Sequence, residues 1–185
     1  VFVISRECNF DCELSTNDLK LVKCFNCDLT DKNDIKKVLS HLKSIKFDCV
    51  VANVGSGFGT RETFPSEEEW NSLWDLNFKS AQYTAQYFTP KIKQKIGNLI
   101  FISSIAGAEF LDAPVAYSVS KSALITYSKI LSKKLAPKIK VNTIVPGNIL
   151  TDSGVWDQKL KKNYNETMDY INNNVPTNNF GNPDE

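Results

Sequence analysis

Several things are scarce in this chain, and each scarcity removes a class of function. No apolar run approaches the ~18–20 residues that a membrane-crossing helix needs, and no signal peptide opens the sequence. Charge of one sign does not dominate: 22 basic residues stand against 21 acidic ones, a net charge of +1. That balance leaves no electrostatic footprint for nucleic acid or an anionic membrane surface, and the expected location is cytoplasmic. There is a single histidine, His41, in a polar helical pattern away from every motif described below, so it is no triad base. Internal repeats and low-complexity segments are absent; the Asn-rich stretch 172–179 reads as a loop. The five cysteines are an odd number without a secretory leader, which argues for reduced thiols. Cys24-x-x-Cys27, with Cys8 and Cys12 upstream, has the residue types of a four-thiolate zinc site. Cys24 and Cys27 fall in a strand-like segment, however, where side chains alternate between faces and diverge. No metal site is expected.

What is present is the composition of an ordinary soluble globular domain, 42% hydrophobic and 23% charged. A length of 185 residues suits one domain, residues 1–185, with enough chain to bury a core. Short apolar runs at 1–4, 21–27, 47–52, 99–102 and 141–145 read as strands. Several are apolar on both faces, as in a parallel sheet covered on each side. Between them lie helical patterns at 31–45, 66–95 and 115–135, followed by another at 156–174. Ser66-Glu67-Glu68-Glu69 is a capping box that opens the long middle helix, with the acids at its positive end. The alternation predicts an α/β fold: a doubly wound, Rossmann-like parallel sheet in three layers, α/β/α.

The most informative feature is Ser103-Ser104-Ile105-Ala106-Gly107 followed by Tyr117-Ser118-Val119-Ser120-Lys121. A tyrosine alone titrates near ~10 and gives up its proton poorly at neutral pH. A lysine four positions on shares its helix face, where an ammonium stabilises the phenolate and draws its pKa down. Such a pair is an acid/base catalyst tuned for neutral pH. The bare pair also has a plain structural reading, an aromatic on the core face with the lysine extending past it to solvent.

Both ends read as cut. Val1 starts inside a strand, and Gly181-Asn182-Pro183-Asp184-Glu185 resembles a helix start without its helix. No strand with a glycine-rich turn precedes Val1, so the dinucleotide-binding fingerprint is absent. Gly55-Ser56-Gly57-Phe58-Gly59 follows a strand, but no apolar-periodic helix opens directly after it.

Six segments in register resemble the classical short-chain dehydrogenase/reductase family over almost the whole length. They are Cys27-Asp28-Leu29-Thr30-Asp31, Ala52-Asn53-Val54-Gly55 (with Val54 in place of the family's alanine), Leu76-Asn77, Ile102-Ser103-Ser104-Ile105-Ala106-Gly107, Tyr117-Ser118-Val119-Ser120-Lys121, and Val145-Pro146-Gly147-Asn148-Ile149-Leu150-Thr151. The resemblance implies catalytic roles for Asn77, Ser104, Tyr117 and Lys121. Tyr117 exchanges a proton with the substrate oxygen, Lys121 lowers the Tyr117 pKa and holds the nicotinamide ribose, Ser104 steadies the developing alkoxide, and Asn77 positions a water. Of the two neighbouring serines, which point to opposite sides, Ser104 has the family's spacing. Cofactor contacts are implied for Asp28, Asn53, Gly55, Pro146, Gly147 and Thr151, besides Tyr117 and Lys121. Asp28 has a second reading, as a cap for the following helix. Arg6, after the second strand of the implied fold, favours NADP(H) over NAD(H), with Glu7 opposing it if turned inward.

The implied activity is NAD(P)(H)-dependent interconversion of a carbonyl and a secondary alcohol on a small-molecule substrate. Residues 152–180 would form a substrate lid, with Phe110, Leu111, Val155, Trp156 and Leu160 as an apolar wall. The family's habit of pairing through the middle and Tyr117 helices implies a homodimer or homotetramer. The family's central strand is expected to be missing between two sheet halves. Two other readings compete: a non-catalytic or truncated member kept as an interaction module, and an extended-type nucleotide-sugar epimerase or dehydratase.

Overall fold

The computed structural model describes residues 1–7 and 21–184. Among the described residues lie five short strands, β1 (Phe2–Ser5), β2 (Lys23–Asn26), β3 (Cys49–Ala52), β4 (Asn98–Ile102) and β5 (Lys140–Ile144), and six α-helices. The helices are α1 (Lys32–His41), α2 (Glu67–Trp74), α3 (Ser80–Phe88), α4 (Val115–Leu135), α5 (Val155–Lys162) and α6 (Tyr164–Asn174). Every strand pair is parallel, in the orders β1-β2 and β3-β4-β5, with Val3 opposite Cys24 and Phe101 opposite Thr143. Parallel neighbours need crossover connections; α2 and α3 carry the chain from β3 to β4, and α4 carries it from β4 to β5.

Alternation along β4 sends Leu99 and Phe101 fully out of solvent. They pack with Ala81 and Ala85 of α3 and Leu124 of α4; the two alanines let α3 lie close on the sheet. Burying each such Leu or Phe contributes roughly 1.5–3 kcal/mol. A second cluster joins Phe2, Ile4 and Phe25 to Ile35 and Val38 of α1, Val50 of β3, and Tyr83 and Phe88 of α3. The Phe2 ring meets Phe47 edge-on at 5.7 Å. The two sheets therefore share side-chain packing, while the ladder of hydrogen bonds stops at β1 on one side and at β3 on the other.

Three elements differ from the sequence expectation. The middle helix ends at Phe88 rather than 95, because Pro90 turns the chain into a 3₁₀ segment (Thr89–Lys91). Within it, Asp75–Lys79 is π-helical, so α2 and α3 are phased by one extra residue. The lid pattern at 156–174 is two helices, broken at Asn163, whose extended backbone (φ −154°, ψ 93°) caps α6. Asn163 Oδ1 caps by accepting from Glu166 N at 3.3 Å, and its Nδ2 donates to Glu166 Oε2 at 2.8 Å, which fixes the capping amide.

The cysteines need a correction as well. Cys24 is disulfide-bonded, against the expectation of reduced thiols, whereas Cys27 and Cys49 are free. Strand alternation sends Cys27 into the α1 cluster and leaves Cys24 elsewhere to pair. Cys8 and Cys12 lie outside the described residues. Among those described, no cluster of three or more His, Cys, Asp or Glu is placed to hold a metal ion, and no helix is long and apolar enough to cross a membrane.

Candidate active site

β4 ends at Ile102, and the chain opens through Ser103 and Ser104 into a 3₁₀ turn, Ile105–Gly107, before α4. Ser104 is extended, and its Oγ caps this turn by accepting from Ala106 N at 3.2 Å. Ser103 N donates to Ile144 O and Ile105 N to Pro146 O, both at 2.9 Å, which ties the turn to the loop after β5. The serines diverge as alternation requires. The buried Ser103 gives its hydroxyl to Lys121 O at 2.8 Å, while Ser104 hydrogen-bonds the Tyr117 phenol. The turn lies hard on α4: a Cβ on Gly107 would sit 2.5 Å from the Lys121 carbonyl carbon.

On α4 the i,i+4 spacing puts Lys121 Nζ 5.8 Å from the centre of the Tyr117 ring. Lys121 is 4% exposed and donates to Ile102 O at 3.0 Å. Burial pulls its pKa down to about 8. Burial also pushes the Tyr117 phenol up from its ordinary value, with the Ser104 hydrogen bond working the other way. Lys121 is not among the groups that shift the phenol in this geometry. Its ammonium is committed to the Ile102 carbonyl, and desolvation outweighs everything else at the phenol.

Asn77 arrives from the π-helical turn. The wider turn, in which Ser80 N–H reaches back to Asp75 O, leaves carbonyls for side chains to satisfy. Asn77 Nδ2 takes Leu73 O, and the Ser80 hydroxyl takes Leu76 O. Asn77 is fully buried; Nδ2 also donates to Ser56 O at 2.9 Å, and Oδ1 accepts from Ser56 N at 3.0 Å. The Gly55–Ser56 backbone is held by this amide. A Cβ on Gly55 would come within 2.7 Å of Asn77 Oδ1 and 3.0 Å of Lys121 Nζ. Glycine is required here by close approach, not by a positive φ. Gly55→Ala is expected to displace one of these two groups and to destabilise the protein by about 1–3 kcal/mol. Urea denaturation checks this, and an unchanged midpoint would mean that the site yields without cost.

Above these groups lies a cavity of about 640 Å³. Ser104 and Tyr117 line it, together with Pro146, Gly147 and Thr151 after β5 and Val155 and Trp156 of α5. A Cβ on Gly147 would meet nothing within 4 Å. The Gly57–Gly59 segment forms a further wall, with Thr60 pinned by Glu69, which accepts from Thr60 N at 2.8 Å. Glu69 therefore secures this loop instead of closing the capping box, of which only the Ser66 half forms, Ser66 Oγ accepting from Glu69 N at 3.2 Å.

Gly55, Asn77 and Lys121 do not line this cavity, and neither do Arg6, Asp28 and Asn53. The last three follow the C-terminal ends of β1, β2 and β3, the same end of the parallel strands at which Ser104 follows β4 and Pro146 follows β5. In α/β sheets that is the ligand-binding end. Arg6 and Asn53 are exposed. Asp28 Oδ1 accepts from Thr30 N and Thr30 Oγ1, both at 2.7 Å, closing a turn. The cap on α1 is Asp31, whose carboxylate accepts from Asn33 N at 2.7 Å. Of the expected apolar wall, Leu111, Val155 and Trp156 line the cavity; Phe110 is wholly exposed and Leu160 lies off it. Sequence reasoning missed Arg61, Gln158, Lys159 and Lys162 on the rim. A signal existed: Val155, Gln158, Lys159 and Lys162 recur at helical spacing on one face of α5.

The parallel α/β fold with this site at the strand ends defines a class, and comparison with known proteins agrees. A model of the short chain dehydrogenases matches residues 9–162. An uncharacterized oxidoreductase of Staphylococcus aureus strain USA300 is 32% identical over 143 residues, which is 75% of this chain and 61% of that protein. The chain thus spans about three-fifths of the length of that curated relative. Among solved structures, a short chain dehydrogenase family protein from Francisella tularensis superposes with a TM-score of 0.82 at 25% identity, over 98% of this chain and 74% of that one. The Pseudomonas aeruginosa RhlG/NADP active-site complex shares the fold with a TM-score of 0.82 at 22% identity, over 99% and 74% of the two chains. The chain belongs to the short-chain dehydrogenase family of oxidoreductases.

Proposed function

We propose that the protein containing this chain interconverts a ketone and a secondary alcohol with a nicotinamide dinucleotide, Tyr117 being the proton donor and acceptor. One observation carries this reading. Ser104 and Tyr117 line a cavity of about 640 Å³, and Lys121, one turn on from Tyr117, meets Asn77 at the Gly55 backbone near the ends of the strands. The donor set fits the nicotinamide half of the cofactor: a buried cation beside a phenol, and an open face at Gly147. When bound, the dinucleotide supplies or receives the hydride. Lys121 would hold ribose hydroxyls, and Pro146, Gly147 and Thr151 would border the nicotinamide. Asn53 and Gly55 would line the path of the dinucleotide, and Asp28 would meet its adenine end. Ser104 orients the substrate oxygen toward Tyr117, and the Asn77 amide fixes the Gly55–Ser56 backbone beneath Lys121. The lid at 152–180 excludes water. Val119 and Ile130, 41% and 48% exposed on α4, supply apolar surface for a homodimer or homotetramer.

Arg6, exposed at the end of β1, is placed to receive a 2′-phosphate, so the proposed cofactor is NADP(H). Titration with NADPH and NADH, followed by energy transfer from tryptophan to the reduced nicotinamide, tests this. Saturable binding is expected, at least tenfold tighter for NADPH, with the preference lost in Arg6→Gln. Equal affinities would sink the role of Arg6, and no saturation with either would sink the cofactor assignment.

A further inference from the structure

The rim of the active-site cavity carries a cluster of cations that the proton-transfer reading does not use. Arg61, Lys159 and Lys162 all line it, and the acid among the lining residues is Asp112, already paired to Arg61. The same three cations border an adjoining recess of about 380 Å³, whose acid, Glu166, is engaged by Asn163. Lys159 is not a solvated helix-face lysine. Its neighbour Lys161 shows that ordinary case, pairing with Asp157 at 2.7 Å on the outer side of α5 with 72% of its side chain exposed. Lys159 instead turns inward, half-buried, with Nζ 4.2 Å from the centre of the Trp156 ring. Trp156 is itself held by stacking on Tyr170, with ring centres 5.5 Å apart. Burial first, and then the like charge of Arg61, push the Lys159 pKa down, while Asp112 pushes it up. A partly desolvated cation facing another cation, with one shared acid between them, is a site short of negative charge.

We propose that the substrate carries an anionic group, a carboxylate or a phosphate ester, remote from its reacting carbonyl, and that Lys159, Lys162 and Arg61 hold this group at the lid. This rests on the oxidoreductase reading above. Leu111, Val155 and Trp156 would enclose the apolar stem between the two ends of the molecule, so the favoured class is a keto acid or keto phosphate rather than a neutral ketone. The anion also gives the lid a reason to close, since α5 carries two of its three cationic ligands and the Gly57–Arg61 side carries the third.

The test compares matched pairs: levulinate with methyl levulinate, and dihydroxyacetone phosphate with dihydroxyacetone. Dissociation constants come from calorimetry without cofactor, and KM values from NADPH oxidation. The anionic member of at least one pair is expected to bind about tenfold or more tightly than its neutral partner. The pair with the larger ratio separates carboxylate from phosphate. In Lys159→Gln/Lys162→Gln the ratio should fall to within about twofold of unity, and in Lys159→Arg it should persist; circular dichroism verifies folding. Equal binding of both members of both pairs, or a ratio that survives in the double glutamine variant, overturns the proposal. Reduction of the neutral ketones without anion preference would overturn it while leaving the oxidoreductase reading intact. Undiminished turnover in Tyr117→Phe would overturn that reading without altering the binding ratios.

Discussion

Replacing Tyr117 with phenylalanine should lower turnover by ~10²–10⁴, the usual contribution of a positioned general acid or base, while cofactor affinity changes less than about twofold. The ring contributes packing on the wall of the cavity, and phenylalanine keeps it; only the hydroxyl that Ser104 hydrogen-bonds is lost. Because burial raises the phenol, Tyr117 is protonated across the neutral range, as the proposed reductive direction requires. The proposed oxidative direction needs the phenolate stabilised by a nearby cation. The candidate is Lys121, whose Nζ lies 5.8 Å from the centre of the Tyr117 ring and donates to Ile102 O. Steady-state kinetics in both directions with the variant and the wild type provide the check. Normal turnover in the variant would remove Tyr117 from the chemistry.

The second large effect concerns Lys121 and has the opposite sign for stability and for activity. Its pKa in the folded chain is about 8, against an ordinary 10.5. A lysine whose pKa falls on folding binds its proton more tightly in the unfolded chain, so it opposes folding. The penalty is fully present below about pH 8 and is relieved as pH rises toward 10.5. It amounts to about 3 kcal/mol near neutrality. Lys121→Met should therefore be more stable than wild type at pH 7 by up to that amount, less whatever the hydrogen bond to Ile102 O contributes. Most of the difference should vanish by pH 10. Turnover should collapse over the same range, since the cation near the phenol is gone, a common exchange of stability for function. Urea midpoints of both proteins at pH 7 and pH 10 decide the matter. A gap that is constant with pH would mean that Lys121 is not depressed.

Much of the molecule was legible in the sequence where local and tertiary demands coincide. Helix α4 was read to its ends because the helical pattern at 115–135 is unbroken. The choice of Ser104 over Ser103 rested on the family's spacing to the tyrosine, alternation requiring only that the two diverge; the Ser103 hydroxyl goes to Lys121 O on α4. The break at Asn163 was missed because periodicity runs through it, although Asn163-x-x-Glu166 is a capping pattern. The π-helical turn leaves no compositional mark. The Cys24 disulfide and the inward turn of Lys159 are tertiary outcomes. Local pattern gives a lysine on an amphipathic helix no reason to differ from Lys161, and only the ring of Trp156 and the charge of Arg61 set it apart.

The π-helical turn also decides where this fold tolerates a change of length. Loop segments such as the one leading into Ser66 can gain or lose a residue and let the flanking elements keep their orientation. Between Trp74 and Ser80 that freedom is absent. Removing one residue there would rotate α3 by about 100° relative to α2. Ala81 and Ala85 would swing off the sheet, and the Asn77 amide would turn away from Ser56. The extra residue acts as a phase setting, by which one continuous rod of helix offers a polar group to the site at one level and small apolar residues to the core a turn later.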